Sequence, residues 1–465
     1  MNMINVRRLA VMTFLGAGML SDISAQDFSL QADTLNEARL PAQWDLQSCI
    51  DYALEQNITI RKNRVTAEST QIDVKTAKAA LFPSLSFSTS QQVVNRPYQE
   101  TSSRVSGSEI ISSNSKTSYN GNYGLNASWT IYNGSKRLKT LKQERLNNQV
   151  AELDVATSEN MIKESIAQIY IQILYAAESV RVNENTLQVS IAQCDRGQEL
   201  LNAGSIAKSD FAQLEAQVST DRYQLVTAQA TLQDYKLQLK QLLELDGENE
   251  MNVYLPKLSD ENVLAPLPAK KDVYVSALAI RPEIEASKLN IEASELGIDI
   301  AKSSYFPTIS LSAGIGTNHT SGSDFTFGEQ VKNGWNNSIG LSVSVPIFNN
   351  RQTKSAVQKA KLQRETDMLS LLDEQKALYK TIESLWLDAN SAQQRYAAAN
   401  EKLRSTQISY DLISEQFNLG MKNTVELLTE KNNLLQAQQE QLQAKYMAIL
   451  NTQLLKFYQG DKLTL

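Results

Sequence analysis

The chain has one histidine, His319, and two cysteines, Cys49 and Cys194, the side chains best suited to nucleophilic, acid–base or metal chemistry near neutral pH. Nucleophilic catalysis needs a nucleophile and a base within hydrogen-bond reach, and a metal cage needs several ligands at close spacing. His319 stands in the Gly-, Ser- and Thr-rich stretch "GTNHTSGSDFT", read as a loop, with neither a second histidine four residues away nor a cysteine pair to join it. The "GIG" at 314–316 lacks the third glycine and following helix of a nucleotide-binding loop. Cys49 falls in a short helix and Cys194 near the end of a very long one, so they are expected far apart as unpaired thiols, even though an exported chain invites a disulfide. These residues predict no enzyme, no cofactor and no metal.

The elements that would position other chemistry are announced by composition. Gly and Pro are few in the 465 residues, and Ala, Gln, Leu, Lys and Glu are plentiful, so long helices are expected. Residues 1–25 carry Arg7 and Arg8, an apolar run from Leu9 to Leu20, and the small pair Ser24 and Ala25, the order of a secretory signal. Its removal takes away two positive charges and one negative (Asp22), moving the formal charge from -6 to -7. An acidic balance without a basic cluster argues against nucleic acid as a partner. No later apolar run is long enough for a membrane helix.

The chain repeats itself. "ALEQNITIRKNRVTAESTQIDVKTAKAALFPSLSF" from Ala53 aligns without a gap on "ALAIRPEIEASKLNIEASELGIDIAKSSYFPTISL" from Ala277, an offset of 224, and "LNAGSIAKSDF" aligns on "FNLGMKNTVEL" at an offset of 216. Before each Phe-Pro pair (Phe82–Pro83, Phe306–Pro307) apolar residues recur at three and four; after it they alternate at two. Proline cannot donate a helical hydrogen bond and pushes its predecessor toward extended geometry, so each pair is read as a helix–strand joint. The expected strands lie near 83–92, 120–132, 307–316 and 337–348. One face carries Leu125, Ala127, Trp129, Leu341, Val343 and Val345, and the other Ser, Asn, Thr and Gly. Length, alternation and terminal aromatics are those of a transmembrane β-barrel; a small half-buried soluble sheet is the alternative. Four strands cannot close a barrel, so the membrane reading requires an oligomer.

Between the hairpins, helical patterns run from Ser135, read as the N-cap, to about 201, and from about 352 to 419. The second carries a seam of threes and fours, Met368, Leu371, Gln375, Leu378, Ile382 and onward to Phe417, a left-handed coiled-coil pattern. Each ends at a glycine, Gly204 or Gly420, and a return helix follows (207–245 and 424–457).

Signal peptide, duplicated halves, paired Phe-Pro joints, hairpins ending in "WTIYNG" and "VPIFNN", and glycine-tipped coiled coils together resemble the TolC family of outer-membrane efflux proteins, across essentially all of the mature chain. The resemblance implies a mostly α fold with a β-barrel part: an antiparallel coiled-coil α-barrel continued by a trimeric 12-stranded barrel in the outer membrane of a Gram-negative bacterium. It implies a homotrimer working with a periplasmic adaptor protein and an inner-membrane pump. The repeats would be 26–245 and 272–457, with an equatorial belt built near 26–44, 246–271 and 458–465. By the same likeness a periplasmic gate falls on Asp210, Lys422, Glu426 and Phe417, with Lys422 and Asp210 in contact, and adaptor docking on Gly204, Ser205, Gly420 and Met421. Thr429 stands where some members carry a second acid, which puts a second acidic ring in doubt. The implied function is an exit duct for efflux; the duct of a type I protein-secretion system, or less readily a periplasmic adaptor, are the rivals.

Overall fold

The joints fall where proline puts them. The computed structural model describes residues 41–98, 102–106, 109–113, 116–246, 251–256, 263–321, 323 and 325–464; residues 1–25 and most of the expected belt segment 26–44 lie outside these. Helices α1 (Leu46–Gln56) and α2 (Ile58–Ala79) lead to strand β1 (Ser84–Asn95), the short hairpin β2 (Ser102–Ser106) and β3 (Glu109–Ser113), and strand β4 (Thr117–Asn133). Then come α3 (Lys136–Asn202) and its return helix α4 (Lys208–Leu242). The order repeats with α5 (Lys270–Ile280), α6 (Pro282–Ser303), β5 (Thr308–Thr320), the small helix α7 (Phe327–Asn333), β6 (Asn336–Ser344), α8 (Gln352–Asn418) and α9 (Thr424–Gln459). Adding 224 to the bounds of α1 and α2 gives those of α5 and α6, and adding 216 to those of α3 gives α8.

Two sequence expectations fail at element ends. Ser135 does not cap α3 with its side chain: its φ of 64° is left-handed and no cap bond forms, as at the equivalent Arg351. A cap needs extended backbone to aim its hydroxyl at the first turn. Strand β6 stops at Ser344 rather than near 348, leaving Val345 outside it, because Pro346 has no N–H to give the ladder.

The four long strands form one antiparallel sheet in the order β1-β4-β5-β6. In a separate small unit Trp44 bridges Val253, with Trp44 N donating to Asn252 O and Tyr254 N to Trp44 O, both at 2.9 Å.

The long helices pair into two hairpins, α3 with α4 and α8 with α9. Apart from Thr353, every buried residue of α8 (Leu378, Ile382, Ala389, Ala392, Tyr396, Ala399, Phe417) lies on the seam read from the sequence. Fully burying one such large apolar side chain stabilises by about 1.5–3 kcal/mol. On α3 the buried Ala176, Asn183, Ser190 and Gly197 recur every seven residues, a seam of small and polar side chains that lets the partner helix approach. Near the middle of α3, the buried Arg281 guanidinium meets Glu164 at 2.9 Å and lies over the Tyr458 ring at 3.7 Å. Burial raises the Glu164 carboxyl above its ordinary range, and Arg281 only partly offsets this.

Candidate functional site

Two regions gather the predicted residues: the sheet, and the paired tips at the far ends of the hairpins.

Register sorts the middle rows of the sheet by polarity. Phe87, Leu125 and Ile315 are paired across β1, β4 and β5; Leu85, Ala127, Ala313 and Ile339 across all four strands; and Trp129, Leu311 and Leu341 across β4, β5 and β6. Rows between them hold Ser84, Ser128, Ser312 and Gly340, then Ser86, Asn126, Gly314 and Ser338. None of the four strands contains Asp, Glu, Lys or Arg. A bulge between Thr130 and Tyr132 brings Tyr132, not Ile131, into the row of Ile309 and Val343. The apolar side chains are uncovered: Leu341 is 65% and Val343 58% exposed. Strands β1 and β6 each keep one edge unpaired within the sheet.

At the tips the backbone does the same thing twice. Gly204 (φ 73°) and Gly420 (φ 74°) adopt the left-handed geometry that ends a helix cheaply only at glycine. Ser205 N donates to Leu200 O and Gly204 N to Leu201 O; Met421 N donates to Gln416 O and Gly420 N to Phe417 O. Both are Schellman motifs, which satisfy carbonyls the helix ends would leave orphaned. A Cβ added at either glycine meets nothing within 4 Å, so conformation rather than space selects glycine.

The side chains around the turns differ. Asn423 Oδ1 accepts from Glu426 N at 2.9 Å while Glu426 Oε2 accepts from Asn423 N at 3.1 Å, a complete capping box. At the equivalent first tip Asp210 accepts from Ala207 N at 3.3 Å, and alanine has nothing to return. Lys422 Nζ donates to Glu426 Oε1 at 2.6 Å. Within the chain Lys422, in the turn ahead of α9, thus pairs with Glu426 rather than with the expected Asp210. Lys422 and the Asn423 N–H hold the Glu426 carboxyl below its usual range. Phe417 is buried against Leu214 and Leu427, forming a tip core from α8, α4 and α9. Gly197 permits it, because a Cβ there would collide with Leu214. Thr429 turns its hydroxyl back to Val425 O at 2.7 Å, and Leu419 and Met421 are each 70% exposed at the turn.

One cluster above the tips is absent from the sequence expectations. Lys431 of α9 donates to both Ser190 of α3 and Asp221 of α4, Ser190 also donates to Asp221, and all three are buried. Gln217 Nε2 adds a bond to Asp221 Oδ1 at 2.9 Å. Burial pushes the Lys431 ammonium below its ordinary range against the opposing pull of Asp221. The signal was available: Lys431 lies four residues after Leu427 and three before Leu434, and Asp221 seven after Leu214, so both occupy apolar seams. His319 is likewise misplaced by the sequence reading, since it is the buried penultimate residue of β5 rather than lying in an open loop. The cysteines are both unpaired, and burial pushes the Cys49 thiol up to about 12.

Among the described residues no helix is long and apolar enough to cross a membrane. An uncovered, charge-free sheet joined to glycine-tipped helical hairpins is instead the fold of outer-membrane channels: the solved structure of CusC superposes with a TM-score of 0.76 at 19% identity, covering 91% of this chain and 94% of that one. Residues 49–244 and 273–460 match the outer membrane efflux protein family, to which this chain belongs. It is 25% identical to the outer membrane efflux protein BepC of Brucella suis over 63% of this chain and 61% of that one. To the outer membrane protein TolC of Escherichia coli it is 24% identical, over 70% and 66%. The matched stretches thus span under two thirds of those relatives' lengths.

Proposed function

We propose that three copies of this chain close a 12-stranded barrel in the outer membrane, continued by a periplasmic helical tunnel, and that the assembly is the passive exit duct of a tripartite efflux or export system. The supporting observation is the sheet: through its middle rows the strands sort into an uncharged, mostly apolar face and a face of Ser, Asn, Thr and Gly, and two edges stay open. Open edges are not tolerated in hydrocarbon, and four strands from each of three copies remove them. Substrate passes through water while a pump supplies the energy. The tips, with Asp210, Lys422, Glu426 and Phe417, are the gate, and the turns at Gly204, Ser205, Gly420 and Met421 dock an adaptor protein.

The test pairs two neighbouring positions. Arg at Val343, on the apolar face, should cost about 2–4 kcal/mol and deplete the heat-modifiable oligomer in outer-membrane fractions, whereas Arg at Ser342 should be tolerated. Equal tolerance at both positions, or purified oligomer that forms no channels in planar bilayers, would refute the duct.

A further inference from the structure

The aromatics near the Phe-Pro joints mark one boundary of the apolar band, and the structure supplies a second boundary at its other end. At the last rows of the sheet His319 faces Gly121, and a Cβ on Gly121 would collide with the imidazole. Around it stand Tyr119 at 5.1 Å, Tyr123 at 5.8 Å and Phe327, edge-on, at 5.0 Å between ring centroids. Phe327 belongs to α7, the short helix between β5 and β6. That helix is tied to the apolar side of the sheet: Thr317, paired with Tyr123, donates its hydroxyl to Val331 O at 2.6 Å, and Gln330 Oε1 accepts from Thr320 N at 2.9 Å. Its end leads straight to Trp335, one residue before β6 and 58% exposed; Phe327 keeps 45% of its surface open.

Distance decides what this collar meets. From Ile309 to His319 is ten residues, about 34 Å along a strand, which a tilt of about 40° reduces to roughly 26 Å, against an apolar band about 25 Å tall in outer-membrane barrels. The lower level is set by Tyr132, paired with Ile309, and by Trp129, whose Nε1 donates to Leu81 O at 2.9 Å.

We infer that α7 and Trp335 form a collar seated in the headgroup layer of the outer leaflet, clamped to the barrel by the His319 aromatic cluster, so that a loop helix adds to Tyr119 and Tyr123 of β4 the exposed part of this protein's outer aromatic belt. The partner is the bilayer surface itself. Amphipathic rings with one apolar side and one wet side concentrate at that depth. The inference rests on the barrel reading, and the test separates the two.

The chain has four tryptophans. A variant retaining only Trp335 (Trp44→Phe, Trp129→Phe, Trp386→Phe), reconstituted in vesicles of brominated phosphatidylcholine, should lose roughly half its emission when bromine sits near the headgroup and clearly less when it sits near the chain ends. The companion variant retaining only Trp129 should also be quenched. If the triple replacement lowers yield, the difference between the unmodified chain and Trp335→Phe gives the same quantity. Trp335 unquenched by any brominated lipid and open to aqueous iodide, with Trp129 quenched, overturns the collar. Neither tryptophan quenched overturns the barrel.

Discussion

The two tips have one backbone and two chemistries. Gly204 and Gly420 share a φ to within a degree and the same pair of Schellman bonds, yet the positions around them hold Ile206, Ala207 and Asp210 in one and Lys422, Asn423 and Glu426 in the other. After duplication the turn kept what the chain geometry demands and diverged where only side chains matter. The second tip became a closed capping box with an ion pair; the first kept a single cap bond. The proposed gate would then have one stiffer lip and one with fewer cap bonds.

The largest test bears on the cluster that joins the unlike hairpins. Lys431 corresponds by the 216 offset to Glu215, and Asp221 to Ala437, so neither hairpin could make this pair with itself. Lys431→Ala leaves Asp221 buried and uncompensated, which should cost about 3–5 kcal/mol, whereas Lys431→Met with Asp221→Leu should be near neutral. Thermal melts of the detergent-solubilised oligomer measure both; a mild Lys431→Ala would mean that water reaches the site.

Next come the glycines, where the tips should behave alike. Gly204→Ala and Gly420→Ala should each destabilise the local turn by about 1–2 kcal/mol through the left-handed backbone alone, with equal increases in amide exchange at the two turns. An unequal pair would show that a neighbouring chain touches one of them.

The caps should behave oppositely. Asn423→Ala should cost about 1 kcal/mol, while Ala207→Asn should gain a similar amount by supplying the missing acceptor. Hydrogen exchange at the first turns of α9 and α4 reads both. A silent Ala207→Asn would mean that the first tip does not fray.

The smallest effect is electrostatic. An exposed pair such as Lys422 and Glu426 contributes little, because water and salt screen it. Because the Glu426 carboxyl is held low, its cap is fully present above the ordinary carboxylate range, about pH 4.3, and is lost as the pH falls through the lower folded value. Channel conductance should therefore rise on acidification below that range, and Lys422→Met should move the step to higher pH. A step that does not move would take Lys422 out of the gate.

Much of this was legible in the sequence for reasons that are local or periodic. The Phe-Pro joints, the tip glycines and the α8 seam each rest on one residue's geometry or on a repeat that survives averaging along a helix. What escaped depends on a third element arriving. Ser135 has the right side chain for a cap but a left-handed backbone imposed by the strand-to-helix bend. Ile131 has the right alternation, and a bulge hands its place to Tyr132. Lys431 and Asp221 each stand in an apolar seam, but that they meet shows only once α3 and α4 are laid against α9, and His319 reads as a loop residue until α7 folds onto the strand end. The pairing of Lys422 with Glu426 escaped because an alignment of positions carries no information about reach.

Strands β4 and β6 release helices of equal count. Both α3 and α8 have 67 residues, about 100 Å at 1.5 Å per residue, although few of their aligned side chains agree. Each residue also turns the helix by about 100°, so a single deletion in one hairpin would shorten it by a small step and swing its buried stripe out of register with its neighbours. Length in this molecule behaves as a gauge with coarse teeth. Drift in side chains is cheap, whereas a lasting change of length must arrive as whole heptads entered in all four long helices together.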